Sequence, residues 1–149
     1  MMLTVSIKIF PHGVGMDLPC YATSGSAGMD LRAAIDSAVV LKPMSRYVVP
    51  TGIAIALPDG YEAEIRPRSG LAFHHGITVL NTPGTIDSDF RGELGVLLIN
   101  FGEVDFILER GVRIAQLVVQ KHERVTFCVV ESLDDTRRAD GGYGSTGIR

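Results

Sequence analysis

The chain is poor in cysteine, has no excess of basic charge and holds no apolar run long enough to cross a bilayer. Its 149 residues include two cysteines, Cys20 and Cys128, far apart and outside any Cys-x-x-Cys pattern. That argues against a disulfide framework and for idle thiols in a reducing compartment. Lysine and arginine together number 14 against 17 aspartates and glutamates, a formal net charge of −3. A general nucleic-acid surface needs a basic excess and is disfavoured, whereas one polyphosphate needs only a local cluster of donors. No stretch approaches the roughly 20 apolar residues of a transmembrane helix. The first ten residues alternate and lack the basic and long apolar regions of a signal peptide. The expectation is a soluble, cytoplasmic protein with no membrane contact. His74, His75 and His122 are not at zinc-ligand spacing with other ligands, and no nucleophile sits beside a base, so a covalent intermediate is not suggested.

What is present is apolar sequence cut into short pieces. The hydrophobic fraction is 46%, enough for one core in a chain of one-domain length. Glycine and proline punctuate it at intervals that suggest a β-sandwich or barrel. Thr4 to Phe10 reads as an edge strand, and Tyr47 to Pro50 and Ile53 to Leu57 as short strands. Pro58-Asp59-Gly60 is a turn. Tyr61 to Arg66 alternates, with Glu62, Glu64 and Arg66 on one face. Ile77 to Leu80 is a further strand, and Leu94 to Asn100 is apolar enough to be buried on both faces. Asp105 to Leu108 and Val112 to Val119 flank Glu109-Arg110-Gly111, which reads as a hairpin turn. Val125 to Val130 reads as a last apolar strand. One short helix starts at Ser69 and runs toward His75. The expected organisation is a β core over residues 1–131 and a polar, glycine-rich arm over residues 132–149. Such a tail cannot fold by itself; it is either a frayed end or an arm that orders on binding ligand.

Five segments carry candidate chemistry. They are Ala27-Gly28-Met29-Asp30-Leu31, Arg66-Pro67-Arg68-Ser69-Gly70-Leu71-Ala72, Asn81 through Glu93, Arg113-Ile114-Ala115-Gln116-Leu117, and Gly141 through Gly147. Arg68-Ser69-Gly70 follows a strand and opens the helix, where free backbone N–H groups favour anions and an arginine fork suits phosphate. A plain helix cap explains the same residues. In the third segment turn residues separate two strands, so a hairpin is expected. Asp87-Ser88-Asp89 there is either turn chemistry or a carboxylate placed for general-base work. Gln116 is either a phosphate contact or an ordinary hydrogen-bonded strand residue. Arg66 and Arg113 read as ion-pair partners.

In this order and spacing the five segments resemble the motifs of the trimeric, all-β dUTP diphosphatase (dUTPase) family. The resemblance spans nearly the whole chain. It implies an all-β, distorted jelly-roll or β-clip-like barrel with one short helix and a flexible C-terminal arm. It also implies Mg²⁺-dependent hydrolysis of dUTP to dUMP and pyrophosphate by water attack on the α-phosphate, which limits uracil incorporation into DNA and supplies dUMP for thymidylate synthesis. By the same resemblance Asp87 is the base that activates the water, and Arg68, Ser69, Gly70 and Gln116 are phosphate ligands. Asn81, with the backbone of Gly84, Thr85, Ile86, Asp87 and Gly95, reads the uracil edge. A cytosine amine would face a donor there, a mismatch that discriminates strongly. Phe90 packs under the deoxyribose, where tyrosine is commoner. Arg138, Tyr143, Gly144, Ser145 and Thr146 belong to the closing arm. Asp30 is outer-shell support for a magnesium ion held mainly by substrate phosphates. The family further implies a homotrimer with shared sites. Two rivals are a dCTP deaminase, which would need a carboxylate that Val96-Leu97-Leu98-Ile99 does not offer, and a non-enzymatic module, which would be expected to have lost Asp87 or the arm.

Overall fold

Period-two apolar segments interrupted by turn residues form eleven short strands among the described residues, with one α-helix and one 3-10 turn at Pro11–Gly13. The computed structural model describes residues 3–143, 145 and 147. The strands are β1 (Ser6–Ile9), β2 (Met29–Arg32), β3 (Val39–Leu41), β4 (Arg46–Pro50), β5 (Ile53–Ala56) and β6 (Tyr61–Arg66). They continue with β7 (Ile77–Val79), β8 (Gly84–Ile86), β9 (Gly95–Asn100), β10 (Phe106–Leu108) and β11 (Arg113–Lys121). Helix α1 covers Ser69–His75, as its sequence predicts, and ends at Gly76 in the left-handed region with φ 67°. A β-carbon there would crowd the backbone of Gly102, so the helix stop and the packing both require glycine. Gly60, with φ 78°, closes the expected turn after Pro58, and the Tyr61 N–H donates to the Pro58 carbonyl at 3.2 Å.

The strands pair antiparallel in four open sheets. Their orders are β2-β11-β6-β8, β4-β9-β7, β1-β5 and β3-β10. The all-β class with one short helix is as expected. As a distorted jelly-roll allows, the sheets stay open: among the described residues none closes on itself. The core lies between the sheets and includes Leu31, Leu41, Val49, Leu94, Leu98 and Ile114. Strand β9 is mostly buried, though Gly95 is exposed and Leu97 half-buried; Leu97 lies opposite Val48 of β4, which is itself exposed on that face. No helix is long and apolar enough to cross a membrane among the described residues.

Two expected pairings and one expected strand are corrected. β10 and β11 do not form a hairpin across Glu109-Arg110-Gly111; β10 pairs with β3 and β11 with β2 and β6. The turn is real, since Val112 N–H donates to the Glu109 carbonyl at 3.3 Å, but it is a corner between sheets. The 81–93 segment is likewise no simple hairpin, because β8 joins β6 whereas β9 joins β4 and β7. Val125 to Val130 forms no strand. Phe127 is 94% and Val129 96% exposed, because no edge of this chain pairs with them. Regular structure among the described residues thus ends at Lys121, well before the expected end of the core at residue 131.

Candidate active site

The four-stranded sheet aligns Asp30, Gln116 and Arg66 in one row. Gln116 on β11 lies opposite Asp30 on β2 and opposite Arg66 on β6. Directly opposed residues share a sheet face. β6 then leaves the sheet through Pro67 and Arg68 into α1, so the start of the helix meets the end of that row. Arg68 Nε donates to Asp30 Oδ1 at 2.9 Å, and Arg113 Nη1 donates to Asp30 Oδ2 at 3.0 Å. Asp30 therefore holds two guanidinium groups at once, in side chains that are about one-quarter exposed for Asp30 and Arg68. Arg113 thus takes up the ion-pair role expected of it, and Arg66 does so with Glu64.

Gln116 Nε2 donates to the Pro67 carbonyl at 2.9 Å. Gly28 is the residue that permits this: a β-carbon on Gly28 would overlap Gln116 Oε1. Helix α1 begins at Ser69 without a side-chain cap, so Ser69 is not the capping residue that the plain reading of its segment required. Arg68, Ser69, Gln116, Asp30, Ala27 and Gly28 line one open pocket of about 300 Å³, together with Cys20, Ala22 and Ser26. Ala22 and Ser26 were not singled out in the sequence, and Cys20 only as an idle thiol. The cluster of small polar residues at Thr23-Ser24-Gly25-Ser26 was the signal available, and Thr23 and Ser26 bond to each other through their hydroxyls at 3.0 Å.

The third segment lies elsewhere on the same sheet. Gly84 pairs with Ile65 and Ile86 with Ala63, so the segment runs away from Gln116 as it advances. At about 3.3 Å per residue and about 4.8 Å between strands, Asp87 is displaced from Gln116 by roughly 13 Å along the sheet and roughly 10 Å across it. Asn81 and Gly84 are in contact, with Asn81 Nδ2 3.3 Å from the position a Gly84 β-carbon would take. Gly84 is buried, while Asn81, Thr85, Asp87, Phe90 and Gly95 are exposed and Ile86 half-buried. The chain thus gathers the phosphate candidates around one pocket and the base, sugar and water candidates on a separate surface. In the arm, Arg138 Nε donates to the Gly141 carbonyl at 3.0 Å. Tyr143 is fully exposed, and Ser145 N–H donates to the Gly142 carbonyl at 2.9 Å. Among the described residues, hydrogen bonds beyond His122 join tail residues only to one another. Gly70 is exposed at the start of α1; Gly144 and Thr146 lie outside the described residues.

Open antiparallel sheets that gather an arginine, a serine and a glutamine around one pocket define an all-β protein with a site suited to an anionic ligand. Comparison with known proteins narrows the class. The dUTPase family matches residues 15–147. Deoxyuridine 5'-triphosphate nucleotidohydrolase of Rickettsia typhi is 55% identical over 147 residues, covering 99% of both chains. The protein of that name from Syntrophotalea carbinolica is 54% identical, covering 99% of this chain and all of the relative. A solved Staphylococcus bacteriophage 80alpha dUTPase mutant with dUpNHpp superposes with a TM-score of 0.88 at 25% identity, covering 99% of this chain and all of that one. A phage phi11 dUTPase mutant, described as coordinating a structural Mg(II) ion, shares the fold with a TM-score of 0.77 at 22% identity, over 87% of this chain and 98% of that one. The chain belongs to the dUTPase family.

Proposed function

We propose that the protein hydrolyses dUTP to dUMP and pyrophosphate, with water attacking the α-phosphorus in line, at sites built between the copies of a homotrimer. The observation that carries the reading is the pocket in which Asp30 orients Arg68 beside Ser69 and Gln116. A guanidinium held in place before substrate arrives stabilises negative charge without reorganising during the reaction. Arg68, Ser69, Gly70 and Gln116 hold the triphosphate. Asn81 and the backbone of Gly84, Thr85, Ile86 and Gly95 read the base, and Phe90 packs against the sugar and leaves no room for a ribose 2′-hydroxyl. Asp87 accepts the proton of the attacking water. Arg138, Tyr143, Gly144, Ser145 and Thr146 close over the site and exclude bulk water. The product dUMP feeds thymidylate synthesis, and removal of dUTP keeps uracil out of DNA.

Assembly between copies is supported by the separation of the two halves within one chain, which exceeds the length over which Asp87 could serve a phosphate at Gln116. Apolar surface supports it as well. Val40 and Ile107 lie directly opposite each other on β3 and β10, and both are exposed. Exposed Val125, Phe127 and Val129 extend past the last strand with no strand partner among the described residues. Contiguous apolar surface of this kind marks an interface.

The donor set fits magnesium held through substrate. Among the described residues no three of His, Cys, Asp and Glu converge on one point, and both Asp30 oxygens are engaged by arginines. Mg²⁺ keeps most of its waters and binds readily through phosphates, so Asp30 would contribute from the outer shell; the ion would neutralise charge on the triphosphate. Exposed, unpaired Cys20 and Cys128 support a reducing, cytoplasmic setting.

Pyrophosphate release from dUTP in the presence of magnesium tests the proposal. Asp87→Asn is expected to keep nucleotide binding and lose about 10²- to 10⁴-fold in kcat. No release by the unaltered protein would overturn the activity, and a nearly unaltered kcat in the variant would remove Asp87 from its role.

A further inference from the structure

The segment that carries Asp87 and Phe90 leaves β8, passes Arg91 beside the edge of β1 and β5, and rejoins the sheets at Glu93 and Leu94. Within residues 87–92 the hydrogen bonds are internal: Phe90 N–H donates to the Asp87 carbonyl at 3.2 Å, and Arg91 Nη1 donates to the Ser88 and Phe90 carbonyls at 2.6 and 2.8 Å. The Phe90 ring folds over Gly92, where a β-carbon would come within 2.6 Å of its Cζ. The loop is therefore braced from within by hydrogen bonds, and its two ends help to set its orientation. Leu94 fixes where the chain enters β9, through its N–H to the Ile53 carbonyl at 2.8 Å and its carbonyl to the Thr51 hydroxyl at 2.6 Å. Glu93 fixes the residue before that, the one from which the loop departs.

Glu93 Oε1 accepts two hydrogen bonds of 2.7 Å, one from the Gly52 N–H and one from His12 Nε2. Its floor is rigid. Gly52 sits at φ 71°, its carbonyl accepts the Phe10 N–H at 2.8 Å, and its backbone touches that of Gly13 so closely that neither residue could carry a side chain. His12 is held in turn, since Arg110 Nη2 donates to its carbonyl at 2.7 Å. Two segments distant in sequence, around residues 12 and 52, thus converge on one carboxylate at the end of the loop, and Arg110 braces the first of them.

We infer that Glu93, braced by Gly52 and His12, is a positioning residue that sets the angle of the Asp87–Phe90 loop and, through Phe90, the selectivity of the enzyme for deoxyribose over ribose. The inference rests on the proposed dUTPase reading, because it assigns Phe90 to the sugar and Asp87 to the water. A small tilt of a group that must sit within hydrogen-bond reach of its target costs up to about a hundredfold, and a tilt of Phe90 opens space for a 2′-hydroxyl.

The test uses the full chain and its variants Glu93→Ala, Glu93→Gln and His12→Ala, assayed for kcat and KM with dUTP and with UTP, alongside thermal unfolding. Glu93→Ala is expected to lower kcat/KM for dUTP about tenfold or more and to lower the dUTP-to-UTP preference about tenfold. Glu93→Gln keeps an acceptor oxygen for the Gly52 N–H and is expected to recover most of both. His12→Ala, which removes one of the two bonds, is expected to fall between, near threefold. If Glu93→Ala is recovered only unfolded, the His12→Ala preference decides alone. A lower melting temperature with an unaltered dUTP-to-UTP preference, in whichever variants fold, would overturn the inference and leave Glu93 a structural residue. Failure of the unaltered protein to hydrolyse dUTP would instead overturn the proposed function.

Discussion

Replacing Asp30 by alanine separates activity from stability, and the structure supplies both magnitudes. Asp30 anchors Arg68 through Nε at 2.9 Å and Arg113 through Nη1 at 3.0 Å. Without it, Arg68 regains its freedom, and substrate must order it on binding. A free arginine side chain carries about 2 kcal/mol of rotamer entropy, and each 1.36 kcal/mol is about tenfold in rate. The expected fall in kcat/KM for dUTP is therefore about 30-fold. Stability should suffer little, because the pair is partly solvated. An ion pair of that kind is worth about 1 kcal/mol or less, about 2–4 °C in melting temperature for a domain of this size. Asp30→Asn retains an acceptor for Arg68 and should lose less activity than the alanine variant. The assay is steady-state pyrophosphate release at several magnesium concentrations, with thermal denaturation in parallel. A loss below about threefold would refute the preorganisation argument. Full recovery at high magnesium would refute it too, because the defect would then lie with the metal and not with Arg68.

Gly28→Ala places a β-carbon on Gln116 Oε1; it should displace the amide from the Pro67 carbonyl and raise KM for dUTP about tenfold, roughly the worth of one hydrogen bond to a charged group, and an unchanged KM would show that Gln116 does not contact substrate. Asn100 is fully buried; it donates to the Leu41 and Val104 carbonyls and accepts from the Gly102 N–H, each at 2.8 Å. Asn100→Leu leaves all three groups unpaired and should cost about 3 kcal/mol or more, read as a fall in denaturation midpoint. Phe127→Asp, in the exposed tail, should lower the assembled mass seen by sedimentation or light scattering and abolish turnover while each chain keeps its far-ultraviolet spectrum; an intact trimer in that variant would show that the tail takes no part in assembly.

The amino-acid sequence by itself pointed to most of the strands, the turns and α1, though β2 and β3 lie outside the strands it indicated and Val125 to Val130 forms none. Alternation in Tyr61 to Arg66, the proline and glycine around Asp59, and the stop at Gly76 are local properties of backbone and side chain, so the strands, the turn and α1 were legible where they stand. Segment order was enough to point to Arg68, Ser69, Gln116 and Asp87, because each needs a particular residue type for its chemistry. Pairing was a different matter. β10 and β11 are separated by a well-formed turn yet join different sheets, and Val125 to Val130 has the pattern of a strand yet finds no edge in its own chain. A strand is specified locally, but its partner is chosen by which distant edge completes the hydrogen bonds and buries the apolar face. Only the tertiary structure could show that Asp30 grips two arginines, that Gly28 makes room for Gln116, and that His12, Gly52 and Arg110 meet around Glu93. It also decided that Asp87 and Gln116 lie far apart on one sheet, because β8 runs antiparallel to β6 and carries the aspartate away from the pocket.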